Sequence, residues 1–398
     1  MTKYVRGYTG MRHMSSVAGP LFEDDDFEQR LDSIPYLLGV KNGVVDLRTG
    51  KLRERREEDF LYRLVNVNYD EDAESSLIED TVLQMMAEDT NMVEFLQKLL
   101  GYGLTGEVSE EIFPVFTAGG RNGKGVLLQT IKLIMGDFYR DVNKGLIVEH
   151  RMANGDAERG KLLGSRLVVF NELQSGDKLL ASEVQLLSGG DGIPAKQLYQ
   201  NPITISPRHL CLLSTNHMPE VSEVIPALME RLLCVPFPVH FKDLEHGEQP
   251  TAFSRQRDND LKKKLAQSHH LEGVLKWMVQ GAVKWYATRD LKRNAPEKVK
   301  EFSRKYFEEQ DKVSSFIRQR CEVKESFSVS TSEFMHELND WLSQEDHPRV
   351  SAKSLSSTMQ RKGFAKRQTW TGRINAMSYI GLRIMYNDSF DAFGDTDS

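Results

Sequence analysis

One lysine stands in a glycine-dense turn, "TAGGRNGKGVLLQTIKLIM" (Thr117 to Met135), between two strongly apolar runs. Such a turn can aim successive backbone N–H groups at phosphate oxygens. The lysine then reaches the β- and γ-phosphates, and the N-terminus of the following helix adds its dipole. The parts stand in working order: the run "IFPVFTA", the turn Gly119, Gly120, Arg121, Asn122 and Gly123, then Lys124, Gly125 and Val126 opening a helical stretch. Two positions depart from the usual GxxxxGK[ST] pattern. Ala118 stands for the first glycine, and Gly125 replaces the Ser or Thr whose hydroxyl ordinarily holds magnesium.

Further candidates sit at the ends of later apolar runs. "RLVVFNEL" ends on Asn171 and Glu172, and a carboxylate there can hold a magnesium-bound water or polarise an attacking water. "HLCLLSTN" ends on Asn216, which can hydrogen-bond a γ-phosphate or the nucleophilic water without adding charge. Taken singly, a polar residue at a strand end is an ordinary helix cap. Three such ends in order place the polar groups on one carboxyl edge of a sheet, where open α/β folds bind ligands.

The elements that must hold these residues are legible in the texture of the chain. "IFPVFTA", "RLVVFNEL", "HLCLLSTN" and "RLLCVPF" are apolar on both faces and alternate with helical segments, as a buried parallel sheet requires. The fold class is α/β. Before Asp70, "PYLLGVKNGVVDLRTGKL" reads as short strands with turns at Asn42-Gly43 and Thr49-Gly50. "DAESSLIEDTVLQMMAEDTNMVEFLQKLLGYGLTG" reads as two helices, the second closed by Gly101 and Gly103. Past Phe241 a charged linker leads to helices. The last hundred residues then read as three helices and a hairpin with a turn at Thr371-Gly372.

Bulk properties exclude several classes. The 398 residues with 39% hydrophobic content suffice for two or three domains with a sizeable core. No run approaches the roughly 20 apolar residues of a membrane helix, and the N-terminus lacks a secretory h-region, so a cytoplasm, or a host-cell cytoplasm for a virus, is expected. The three scattered cysteines suggest buried thiols rather than a disulfide framework or a zinc pair. Net charge is −6, which argues against a protein that coats nucleic acid uniformly. The charge is nonetheless segregated: Arg349 to Tyr386 holds eight Lys or Arg and no acid, and Asp388 to Ser398 holds four Asp and no base.

The ordered set "GGRNGKGV", "VVFNELQ", "LLSGGDGIPAKQLYQNPITISP", "LCLLSTNHMP" and "RLLCVPFPVHF" resembles superfamily 3 helicases, and within them the poxvirus-type primase-helicase family of large DNA viruses, phages and mobile elements. The resemblance implies a P-loop, AAA+-like ATPase core over 109–242, an accessory domain over 1–108, a helical lid or linker over 243–312, a winged helix over 313–387 and an acidic tail over 388–398. Lys124 corresponds to the Walker A lysine, Glu172 to the Walker B acid and metal-holding residue, Asn171 to the place of a second acid, and Asn216 to the sensor. Arg231 corresponds to an arginine finger that reaches a neighbour's ATP, Glu230 standing where relatives often have a second arginine.

The "GGD" hairpin implies a channel contact to DNA through Lys196. In the winged helix, Lys353, Arg361, Lys362, Lys366, Arg367 and Arg373 are the candidate phosphate contacts. ATP and Mg2+ are the implied cofactors. Single-stranded and forked DNA, a hexameric ring and a primase or polymerase are the implied partners, the ring because a site that borrows Arg231 from the next subunit needs a closed head-to-tail assembly. A replication initiator or loader using ATP as an assembly switch, and a small-molecule phosphotransferase, are the competing classes. The phosphotransferase is weakened by the hairpin, by Arg231 and by the lack of an acceptor pocket.

Overall fold

The apolar runs at the centre of the sequence become one five-stranded sheet. Its strands are β1 (Phe113–Thr117), β2 (Tyr139–Val142), β3 (Leu167–Asn171), β4 (Leu210–Thr215) and β5 (Leu232–Pro236), all parallel and ordered β5-β1-β4-β3-β2. Every residue of β1 is buried, and the other inner strands are buried apart from positions near their ends, so neither face reads as alternating. This is a computed structural model, and it describes residues 8–18, 27–149, 155–196, 201–221, 224–245, 248–345, 347–371 and 374–386. The expected turn at Gly372, the contact residue Arg373 and the acidic tail from Asp388 lie outside the described residues.

The chain forms two compact units, Met1–Ser303 and Arg304–Ser398. In the first, a three-stranded antiparallel sheet (Leu37–Val40, Gly43–Asp46, Lys51–Arg53) precedes helices α1 (Ser76–Met85) and α2 (Thr90–Tyr102). Helix α3 (Lys124–Met135) follows the phosphate loop, and helix α4 (Ser268–Thr288) comes after the sheet. One continuous core runs from Leu38 through Phe95, Phe116 and Ile131 to Trp277 and Trp285. The segments expected as an accessory domain, an ATPase core and the front of a lid or linker thus share their buried surface, and α4 is an internal helix with both tryptophans fully buried. Arg166 joins the parts by donating to the carbonyls of Leu104 (2.7 Å) and Leu37 (2.8 Å).

Asp89 begins α2 by accepting from the N–H groups of Asn91 and Met92. Gly101 does not end that helix, as the sequence suggested, but lies inside it. A Cβ on Gly101 would stand 2.2 Å from the Ala282 nitrogen, and one on Gly281 would stand 1.9 Å from the Gln97 carbonyl oxygen. The two glycines let α2 and α4 cross in backbone contact, so tertiary packing and not helix termination fixes Gly101. No helix among the described residues is long and apolar enough to cross a membrane.

The second unit contains α5 (Lys312–Arg320), β6 (Cys321–Ser330), α6 (Thr331–Gln344), α7 (Ala352–Arg361), β7 (Lys366–Thr371) and β8 (Ile374–Ile384). Its antiparallel sheet runs β6-β8-β7. Phe316, Phe334, Trp341, Met359, Tyr379 and Leu382 form its own core. Strand β6 was not expected. Only parts of "CEVKESFSVS" alternate, and its register on β8 shifts between Val323 and Ser328, which blurs the two-residue period.

Candidate nucleotide-binding site

The sheet order decides which polar residues meet. β4 lies between β1 and β3, so the end of β4 stands between the phosphate loop and Glu172. Lys124 is the first residue of α3, and its ammonium donates to the Thr215 carbonyl (2.7 Å) and to Asn216 Oδ1 (3.2 Å). The lysine is only 7% exposed. With no carboxylate bonded to it, burial lowers its pKa to about 8 from an ordinary 10.5.

This burial has a measurable pH signature. The folded value lies below the unfolded one, so between about pH 8 and 10.5 the unfolded chain holds the extra proton and stability rises with pH. Denaturant titrations are expected to show the wild-type chain gaining about 2–3 kcal/mol relative to Lys124→Met across that window. Parallel stability curves for the two proteins would mean that the ammonium is solvated.

The loop is held from outside itself. Gly123 caps α3 with φ +84°, and a Cβ there would meet Met85 Cε at 2.3 Å. Any side chain at 123 is therefore strained and has to displace the Met85 side chain of α1. Asn122 is buried and donates to the carbonyls of Phe237 (3.2 Å) and Val239 (2.6 Å), while the Phe241 N–H donates to the Arg121 carbonyl (2.8 Å). The segment after β5 is in this way sewn to the loop. At Gly125 a Cβ would have nothing within 4 Å, so the missing hydroxyl leaves open space rather than a filled position.

Glu172 follows β3 in the left-handed region, φ +52°, with its N–H donating to the Ser214 carbonyl (3.0 Å). A glutamate held there is uncommon and costs on the order of 1 kcal/mol, a feature that clusters at functional sites. Its exposed carboxylate has no hydrogen-bond or ion-pair partner among the described residues. Asn171 is committed instead: its amide donates to Asp141 Oδ1 (2.9 Å), and Asp141 also pairs with Lys132 (2.5 Å). Glu172 is the available acid, and Asn171 is a neighbour held by β2.

These groups line one cleft of about 1030 Å³, together with Gly120 to Val126, Ser214, Thr215 and Asn216. One part of its lining has no counterpart in the sequence reading. Leu77, Asp80, Thr81, Gln84 and Met85 of α1 face it, spaced as one side of a helix, opposite Phe241, Asn259 and Leu261. The available signal was the pair Asp80 and Gln84, which interrupt an otherwise apolar helix face. The loop member Gly119 is outside the lining.

Arg231 and Lys196 are elsewhere. The Arg231 carbonyl accepts from the Phe113 N–H (2.7 Å) at the start of β1, the edge of the sheet opposite the phosphate loop and about 13 Å away along the strand. Its guanidinium pairs with Glu111 (2.7 Å) and donates to the Ala227 carbonyl (3.1 Å), and its Nε is buried without a partner. Lys196 is exposed at the outer end of the hairpin strand Ile193–Lys196, where it faces Pro202, while Ile193 and Ala195 point inward.

In the second unit Lys353, Arg361, Lys366 and Arg367 are exposed. Lys362 is not available in the way the sequence suggested. Asp311 and Ser314 at the start of α5 bind its ammonium, so it clamps the end of α7 to α5 and leaves the set of candidate phosphate contacts.

Residues 8–87 match the family model described as D5 N terminal like. A "putative helicase" of Acanthamoeba polyphaga mimivirus is 32% identical over 230 residues, 56% of this chain and 24% of that protein. A protein with the same designation from Invertebrate iridescent virus 3 is 24% identical over 318 residues, 75% of this chain and 34% of its own. A "putative primase" of African swine fever virus is 24% identical over 190 residues, 45% of this chain and 20% of its own. In sequence the chain is similar to proteins designated putative helicases and primases of large DNA viruses, and its first part to the D5 N terminal like family. It spans between 20% and 34% of the length of these relatives. The D5 N terminal like match runs through α1, the helix that lines the cleft beside the glycine-rich loop.

Proposed function

We propose that the chain is an ATP-dependent DNA helicase motor, with an AAA+-like core in the first unit and a winged helix in the second. The observation that carries this is the meeting of Lys124, Asn216 and Glu172 in one cleft at the carboxyl edge of a parallel sheet, with Arg231 held at the opposite edge. A site so divided is complete only when a second copy supplies the arginine, and head-to-tail supply closes into a ring.

The free N–H groups at the start of α3 and the buried ammonium fit a triphosphate. Lys124 would leave the Thr215 carbonyl for phosphate oxygens, and Asn216 would be freed to orient the attacking water. Glu172, an unpaired carboxylate at the sheet's carboxyl edge, would take that water's proton. The same residues fit a magnesium ion carried in with ATP: Glu172 would hold it through water, with phosphate oxygens taking the place of the absent hydroxyl at Gly125, and it would neutralise charge on the phosphates. Lys196 on its hairpin, and Lys353, Arg361, Lys366 and Arg367 of the second unit, would meet DNA phosphates.

ATP turnover measured with and without single-stranded DNA tests the proposal. Strong stimulation is the expected result, and indifference to DNA would overturn the motor.

The apolar part of the cleft lining carries a separate prediction. Leu77, Phe241 and Leu261 are partly exposed apolar side chains where a base would lie. Phe241→Ala is expected to raise KM for ATP about tenfold or more while inorganic tripolyphosphate inhibits as well as it does in the wild type. Equal loss of both ligands would show that the ring supports the loop and does not contact the base.

A further inference from the structure

One aromatic side chain of the second unit is left uncovered. Trp370 is 75% exposed, whereas Trp341 is 8%, Trp277 2% and Trp285 0% exposed. It lies on β7 opposite Asn375, and the same face carries Gln368 opposite Met377 and Lys366 opposite Tyr379. Near the helices this face packs inward, Tyr379 resting edge-on against Phe334 at 5.6 Å. Farther out the hairpin has left the core behind, and Trp370 and Met377 meet solvent, Met377 at 43%.

The surrounding charge is of one sign. Lys366 and Arg367 are exposed and have no ion-pair partner among the described residues, and no acid occurs anywhere from Lys366 to Ile384. A flat indole with unpaired cations about 10–13 Å along the same strand, Lys366 on its own face and Arg367 on the other, fits an extended ligand that presents π-faces and anions along its length. Single-stranded nucleic acid has that chemistry, whereas in a duplex the base faces are covered by their neighbours. An acidic or apolar protein surface would use the cations or the indole, but not both along one strand.

We propose that Trp370 is a stacking platform for an unpaired nucleobase of a single strand whose phosphates meet Lys366 and Arg367. The proposal rests on the reading of the chain as a DNA-handling protein, to which it adds a base contact in the wing hairpin.

Trp370 is the one strongly exposed tryptophan of the four, so the full chain reports on it through its own red-shifted fluorescence. Oligothymidylate is expected to quench that emission. By anisotropy, Trp370→Ala is expected to weaken binding roughly 5- to 100-fold, and Trp370→Phe much less. The salt dependence of binding should be unchanged in Trp370→Ala but shallower in Lys366→Ala. An abasic oligomer of equal length should bind wild type and Trp370→Ala alike.

Oligothymidylate binding that is the same in wild type and Trp370→Ala would overturn the platform while leaving the DNA-handling reading intact. Quenching by protein concentration alone, with no oligomer, would assign the indole to a second copy and overturn it as well. A wild-type chain that binds no oligonucleotide would sink the DNA-handling reading itself.

Discussion

Lys124→Ala is expected to lower ATP turnover at least a hundredfold, while Gly125→Ser keeps it within a few-fold of wild type. The lysine is the one cation at the head of α3 whose ammonium already sits beside Asn216 at 3.2 Å. Its loss removes charge stabilisation that no other side chain supplies from that position. Gly125 behaves oppositely because a new side chain there enters open space, with nothing within 4 Å of the added Cβ. A serine can adopt the helical conformation of that position and offers the metal a hydroxyl the wild-type chain lacks. Steady-state turnover with ATP binding measured in parallel checks both. Full turnover in Lys124→Ala would reduce the glycine-rich stretch to a structural turn, and collapse of Gly125→Ser would mean that the departure from the usual loop is itself required.

Under the proposed function, Arg231→Ala is expected to abolish most turnover, on the order of a thousandfold as loss of an arginine finger does, while leaving ATP binding in place. The folded chain should tolerate the change, since its Glu111 partner is half exposed and such a pair contributes little. The decisive measurement mixes two inactive chains. A Lys124→Ala chain still offers Arg231, and an Arg231→Ala chain still offers Lys124, so neighbours in a mixed assembly rebuild complete sites and turnover partly returns. Absence of any recovery, with mixed assembly demonstrated by light scattering, would mean that Arg231 acts within its own chain or not at all. The opposite sheet edges on which the two residues lie make the first of those outcomes unattainable without refolding.

Much of the site was legible because its chemistry is local. A glycine turn before a helix, and polar residues closing apolar strands, are written within a few residues of one another, and Lys124, Glu172 and Asn216 were read from such patterns. What could not be read locally was who stands next to whom. Asp141 and Lys132 occupy Asn171 across two strands and a helix, Lys362 is drawn inward by Asp311, and α1 lines the cleft. Each of these joins residues distant in sequence, and no periodicity announces them.

Gly101 shows the same division at the level of the fold. Near the end of an amphipathic run, a glycine followed by another glycine is a stop signal, and the local pattern cannot tell a stop from a crossing point. Only the approach of α4, bringing the Ala282 nitrogen to within 2.2 Å of where a Cβ would stand, decides between them.

By itself the sequence determined the α/β class, the glycine-rich turn that opens a helix and the acid and amide at the strand ends, because side-chain period and turn chemistry are properties of short segments. The tertiary structure alone decided that β4 inserts between β1 and β3 to seat Asn216 beside Lys124, that Arg231 faces away from its own cleft, and that Trp370 stands uncovered. Strand order and exposure depend on which buried faces find each other across the whole chain, and that is settled only when the core closes.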